Sequence, residues 1–281
     1  MSPAQLLCAA STLARETLTG PPRPARVIAV ARQALYLLPH GGDTPLAVLA
    51  PQAVRVPNAV VVPNAAGERP FHGVAVGDAG RVGCGRLAIG PLRLAAREFW
   101  APPRAQDTPP GPTLDRLARL RPPRPLAAQA RPAATALVRA LAQGAPTVQR
   151  RAAVALLGLG PGATPSGDDF LCGLLLTARL ARRPPAWLPA LADIATHAEA
   201  HTPPVSAALL RHAAAGYCVP QAAALLDAAA TGTDLTAPVA ALLAVGHSSG
   251  SDLLHGLCAG ARLDDRARHP ALAVRRRSTP S

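Results

Sequence analysis

The chain has 281 residues, enough for one compound domain or two small ones, and 49% of it is hydrophobic although it holds only three Phe, two Trp and two Tyr. A core so poor in aromatic residues must be filled by Ala and Leu on closely approaching helices. The formal charge is +13, carried entirely by arginine; the arginines are scattered, with no aromatic interleaving and no basic recognition helix, which excludes a nucleic-acid surface, and no apolar stretch reaches the roughly 20 residues of a membrane span.

Met1 to Gly20 carries Arg15 and Glu16 within a helical pattern and lacks the basic start and apolar run of a signal peptide. It reads as a short leading helix, and the cytoplasm is the expected location. From Arg26 to about Leu94, β-prone runs (Val27–Leu38, Leu46–Leu49, Val54–Val62, Gly73–Val76, Arg81–Leu94) alternate with turn residues and predict an antiparallel sheet or small barrel. Gly67, Gly73, Gly77, Gly80, Gly83, Gly85 and Gly90 mark turns and bulges in it rather than a phosphate loop. Trp100 to Pro112 is Pro-rich and reads as a connector.

After Thr113 the period changes to helical. Leu114–Leu120, Pro125–Gln143, Val148–Leu157, Asp168–Arg182, Leu188–His201, Val205–Ala214, Gln221–Ala230, Leu235–Val245 and Ser251–Arg262 each carry it, broken by Pro or Gly. Short connections predict antiparallel neighbours and hence a bundle. The fold class is α+β: an antiparallel β-rich N-terminal part over residues 1–100, an all-helical bundle over 113–262, and a polar tail over 263–281 that should fray.

Two stretches of the helical part spell nearly the same thing, Ser166-Gly167-Asp168-Asp169-Phe170-Leu171-Cys172-Gly173-Leu174 and Ser249-Gly250-Ser251-Asp252-Leu253-Leu254-His255-Gly256-Leu257. Both follow a glycine-bearing turn, and repetition of this kind marks one device used twice. A capping box would account for Ser166, Asp169, Ser249 and Asp252. It leaves Gly173 and Gly256 unexplained, because glycine inside a helix costs about 0.5–1 kcal/mol relative to alanine. Each lies four residues after its Asp, on the same helical face, where a backbone or a ligand could approach closely.

The longer turn, Gly158 to Pro165, is rich in glycine and hydroxyl residues ahead of a helix start, a context in which free amides bind anions. It has neither the Gly-Lys-Ser/Thr of a P-loop nor the preceding strand of a dinucleotide fingerprint. Gly160, Gly162, Thr164, Ser166, Gly167, Asp168, Ser248, Ser249 and Gly250 are therefore candidate substrate-binding residues, with Asp169, Asp252 and His247 as candidate catalytic groups. Asp168 and Asp169 diverge by about 100° around a helix, so they should not act as one clamp, and Asp169 is the one that aligns with Asp252. If a metal takes part, Mg²⁺ held by Asp169 and Asp252 is the expectation. Thr202 to Ser206 forms a third polar loop at a helix start.

Other candidates carry less. His197 and His201 share a helical face at zinc spacing without a third ligand. His247 beside Ser248 and Ser249 could form a Ser-His pair but lacks a nucleophile elbow. His40, His72 and His212 stand in no constellation. Cys8, Cys84, Cys172, Cys218 and Cys258 are too dispersed for a disulfide framework.

The runs GLGPGATPSGDDFLCGLL, HTPPVSAALLRHAAAG and VGHSSGSDLLHGL resemble, in that order, the signature blocks of a bacterial family whose named member is the AllH-type subunit of oxamate carbamoyltransferase. The likeness extends over roughly residues 25–262 and is specific in those three blocks. It implies a subunit of a hetero-oligomeric enzyme of purine (allantoin) nitrogen catabolism, moving a carbamoyl group between oxalurate and carbamoyl phosphate, with a small anionic substrate such as carbamoyl phosphate, oxamate or oxalurate. Only the motif positions transfer; no catalytic assignment comes with them. A non-catalytic binding or assembly subunit and a metal-assisted amidohydrolase remain open alternatives.

Overall fold

The computed structural model describes residues 5–42, 44–63 and 69–268. Gly67 of the turn series and the tail beyond residue 268 lie outside the described residues. The chain divides into two compact units, Met1–Pro103 and Arg104–Ser281.

The first unit is a closed eight-stranded barrel. Its strands are β1 (Leu6–Ser11), β2 (Arg23–Val30), β3 (Ala34–Pro39), β4 (Leu46–Leu49), β5 (Ala59–Val61), β6 (Ala79–Gly83), β7 (Arg86–Ile89) and β8 (Leu92–Trp100), in the order β1-β5-β4-β3-β2-β6-β7-β8. Helix α1 (Arg15–Thr19) is a single short piece after β1, so Leu6–Ser11, which the helical pattern placed in a leading helix, is strand instead.

The expected antiparallel sheet is corrected on two counts. β1 pairs parallel to β8 and β4 pairs parallel to β5, and the pairing closes on itself. Parallel neighbours cannot be joined by a hairpin; β4 and β5 are linked through the loop 50–58, while β1 and β8 come from opposite ends of the unit. Closure leaves no strand edge to solvate. The predicted run Val27–Leu38 is a hairpin of two strands, Arg81–Leu94 spans three, and Gly73–Val76 is turn. One face of the strands fills the core with Val27, Leu35, Leu37, Val82, Leu87, Ile89 and Leu94. β4 is buried at every residue, because Ala47 and Leu49 on its other face pack with Ala59 and Val61.

The second unit is helical: α2 (Thr113–Arg119), α3 (Arg131–Gln143), α4 (Pro146–Val154), α5 (Ser166–Leu180), α6 (Leu188–Thr196), α7 (Pro204–Ala214), α8 (Pro220–Thr231), α9 (Thr236–Leu243) and α10 (Ser249–Arg268). Proline at the first or second position of α3, α4, α6, α7 and α8 explains why their starts are legible, since proline's missing N–H is an orphan there. Helix α10 runs on through Asp264 and Asp265 to Arg268, past the point where the sequence suggested fraying.

Helix α5 is buried from Ser166 through Ala178. A helix apolar on all sides must be enclosed by others, and α10, α7 and α6 pack against it. Cys172, Cys218 and Cys258 are buried in this core. Burial pushes the Cys258 thiol up to about 11, as expected of a small hydrophobe rather than a nucleophile. No described helix is long and apolar enough to cross a membrane.

Candidate functional site

The two repeated segments are helix starts in register with each other. In each, a positive-φ glycine backs onto a serine at the helix start: Gly160 (φ 123°) leaves no space for a β-carbon against the Ser166 amide, and Gly246 (φ 61°) lies beside Ser249. In each, the second helical residue must be glycine. A β-carbon at Gly167 would strike the Leu156 carbonyl, and one at Gly250 the Leu242 carbonyl. Their amides are also taken, Gly167 by Leu159 O at 2.9 Å and Gly250 by Val245 O at 3.0 Å.

Six residues further on, the helices cross through Gly173 and Gly256. A β-carbon at Gly173 would strike the Leu253 carbonyl oxygen and stand 2.6 Å from the Leu257 amide nitrogen; one at Gly256 would strike the Phe170 carbonyl and stand 2.9 Å from the Gly173 Cα. The contacts are reciprocal, Gly173 on residue 253 and Gly256 on residue 170, so α5 and α10 are related as pseudo-symmetric partners. Thr177 seals the crossing below, donating its hydroxyl hydrogen toward Gly173 O (2.9 Å) and Leu257 O (3.1 Å). Thr177 went unnoticed in sequence because no spacing of types marks it, except that Gly260, four residues after Gly256, has no space for a β-carbon beside it.

The crossing brings the two turns together. Thr164 Oγ1 and Ser249 Oγ lie 3.0 Å apart, and the Ser249 hydroxyl in turn bonds the Asp169 carboxyl. Asp169 and Asp252, both buried, are close enough for the charge of one to act on the other. Asp252 Oδ1 accepts from the Ala127 amide at 3.4 Å, while Oδ2 of both aspartates and the Ser251 hydroxyl are buried without a partner among the described residues. Burial, with the negative charges of Asp252 and Asp168 adding to it against the Ser249 hydrogen bond, pushes the Asp169 carboxyl up to about 8. At neutral pH the balance for Asp169 therefore lies on the side of the protonated acid.

Asp168 points elsewhere, as the helical angle requires. Its Oδ1 accepts from the Gly158 amide at 2.9 Å, and its Oδ2 from the Ser206 hydroxyl at 2.7 Å and from the Thr202 hydroxyl. Burial raises this carboxyl, and the three donors pull it back. The polar loop at Thr202 to Ser206 thus belongs to Asp168 rather than to the Asp169–Asp252 pair. Replacing Asp168 by Ala leaves one amide and two hydroxyls without their acceptor, and an expected loss of about 3 kcal/mol or more should appear in urea melts. Asp168→Asn, which keeps an acceptor oxygen, should lose less.

The remaining candidates fall into place around this. The capping box is not formed at α5: its N-cap is Pro165, with no side-chain cap, and Ser166 sits inside the first turn. At the other start, Ser248 O receives the Asp252 amide at 2.9 Å. Gly162 and His247 are exposed at the tips of their turns, so His247 is not gathered into the buried cluster. The amides of Gly162, Ala163 and Thr164 make no backbone hydrogen bond among the described residues. His197 closes α6, with its Nδ1 2.9 Å from Asp193 O and 3.3 Å from Asp193 Oδ1, and His201 lies beyond a 3-10 turn, so the helical face assumed for the pair does not exist. His212 is half-buried, and desolvation, with the charge of Arg211 adding to it, pushes it down to about 4.

Among the described residues no group of three or more His, Cys, Asp or Glu side chains is placed to hold a metal. Asp168 is spent on its own donors, so Asp169 and Asp252 are the two carboxyl groups left to face an ion, and Mg²⁺ is commonly held by one or two carboxylates with waters and substrate phosphates.

Residues 156–261 match the family model described as oxamate carbamoyltransferase subunit AllH. The matched stretch contains α5, α10 as far as Ala261, both turns and the Thr202–Ser206 loop. No solved structure matches the chain.

Proposed function

We propose that the chain is a subunit of an oxamate carbamoyltransferase of allantoin catabolism and that its paired helix starts bind the anionic substrate. The family match supports the class of enzyme. The 3.0 Å approach of Thr164 to Ser249 is the observation that carries the site, because it joins two loops far apart in sequence into one polar surface inside the matched stretch.

In the reaction, a phosphate oxygen attacks the carbamoyl carbon of oxalurate, the bond from that carbon to the oxamate nitrogen breaks, and the nitrogen takes up a proton. The products are carbamoyl phosphate and oxamate, and the reverse direction uses the same groups. The free amides of the 162–164 turn and the Ser248 hydroxyl donate to the substrate's anionic oxygens, where charge builds as the phosphate attacks. Asp252 lies behind this surface, buried and with one oxygen unpartnered. Asp169 carries a proton at neutral pH, and Ser249 and Thr164 form a hydroxyl path from it to the loop surface, toward the departing nitrogen.

The test is phosphate-dependent conversion of oxalurate to oxamate by the tagged chain purified with the other subunits of the enzyme. Thr164→Ala and Ser249→Ala should each leave assembly intact and lower kcat/KM by about 10- to 100-fold, or 1.4–2.7 kcal/mol. A second reading, a non-catalytic assembly subunit, is favoured by the glycines: Gly167, Gly173, Gly250 and Gly256 are all filled by neighbouring backbone and leave no room for a ligand at those points. Full turnover by both hydroxyl variants in the assembled enzyme would establish that second reading instead.

A further inference from the structure

A groove of about 560 Å³ lies along α3 and α10. Its floor is apolar, made by Leu126, Ala134, Val138, Phe170, Ala259 and Leu263. Every charged or titratable group lining it is basic: Arg131, His255, Arg262 and Arg266, with no carboxylate. None of the three arginines makes a salt bridge among the described residues. Backbone carbonyls aim two of them instead. Arg131 donates to Leu126 O at 3.2 Å, and Arg262 donates to Ala118 O at 3.0 Å and Leu120 O at 2.7 Å. His255 is fixed likewise, with Nε2 2.7 Å from Arg124 O. Such bonds orient a guanidinium without neutralising it, so the rim keeps its positive charge.

A second groove, of about 1050 Å³, shares Arg262 and Arg266 but interleaves Asp115, Asp264 and Asp265. It has no single sign of charge to match. The first groove does, and its combination of apolar floor and uncompensated cationic rim specifies what fits.

We propose that the α3–α10 groove seats a segment of a partner subunit that presents apolar side chains to the floor and carboxylates to the rim. This rests on the reading of the chain as a subunit. The chain's own last residues cannot be the occupant on grounds of charge, since Arg275, Arg276 and Arg277 carry the same sign as the rim. A small anion alone would leave the apolar floor uncovered, whereas an amphipathic segment satisfies both parts. The groove adjoins the paired helix starts. Leu126 of the floor precedes Ala127, whose amide binds Asp252, and Phe170 follows Asp169.

The experiment uses the full chain, tagged and co-expressed with the other subunits of the enzyme. Arg131 and Arg266 are exposed, so Arg131→Glu with Arg266→Glu should fold as the parent does; Arg131→Gln with Arg266→Gln is the gentler version. The parent should bind its partners with an affinity that falls as salt rises. The charge-reversed chain should bind at least tenfold more weakly, and the glutamine chain severalfold more weakly. If both variants bind and turn over oxalurate as the parent does, the groove is not the interface and the proposal fails while the functional reading stands. Loss of turnover with an intact complex would assign the groove to a small anion and overturn the partner assignment. If the parental chain itself forms no complex, the subunit reading falls, and this inference falls with it.

Discussion

Gly173→Leu and Gly256→Leu are each expected to cost more than about 3 kcal/mol, a large share of the 5–15 kcal/mol that holds an ordinary domain together. The reason is what stands opposite. The atoms facing a β-carbon at either position are backbone atoms of the partner helix, namely Leu253 O and Leu257 N for Gly173, and Phe170 O for Gly256. A flexible side chain could turn aside; a helix backbone cannot move without carrying its neighbours. For Gly→Ala, helix propensity gains up to about 1 kcal/mol, but separating α5 from α10 costs typically 1–3 kcal/mol. The alanine variants should therefore be less stable than the parent. Because the two glycines share one gap, the double variant Gly173→Ala/Gly256→Ala should cost less than the sum of the singles by 0.5 kcal/mol or more. Urea melts of the four chains decide it; alanine variants as stable as the parent would mean that the helices do not meet there.

This crossing also shows how far the sequence could be read. The repeat announced two equivalent helix starts, and the four-residue step from Asp to Gly announced that something approaches the same face. Both are local patterns. What the glycine accommodates is a matter of pairing, and one chain's pattern is silent on whether a ligand or another helix fills the space; here α10 fills α5's gap and α5 fills that of α10. The same limit explains the barrel. Alternation and turn residues located most strands, but the parallel neighbours β1–β8 and β4–β5 are set by closure of the whole unit. Asp168 and Asp169 were separable because one residue of helix is a fixed rotation. Their partners were not, because Thr202, Ser206 and Ser249 arrive from other elements.

Asp169→Asn should act on stability and on turnover in opposite senses. In the folded chain the Asp169 carboxyl is pushed up to about 8 by burial and by the charges of Asp252 and Asp168, whereas in the unfolded chain it has its ordinary value of 3.8. Between those values the folded state holds a proton that the unfolded state has released, so stability falls as pH rises through that window. The contribution is fully present below the unfolded value and fully lost above the folded one, and its size is on the order of a few kcal/mol. Asparagine has the shape of the neutral acid and cannot ionise. The variant should therefore melt like the parent near pH 4 and be more stable than the parent above pH 8, with a flatter profile between. On the proposed mechanism it has no proton to give the departing oxamate nitrogen, so turnover in the assembled enzyme should drop by about 10²–10⁴. A purely packing role for Asp169 would yield the flattened stability profile with turnover unchanged. Those two readouts, taken on one variant, separate the buried acid of a helix crossing from the proton store of a carbamoyl-transfer site.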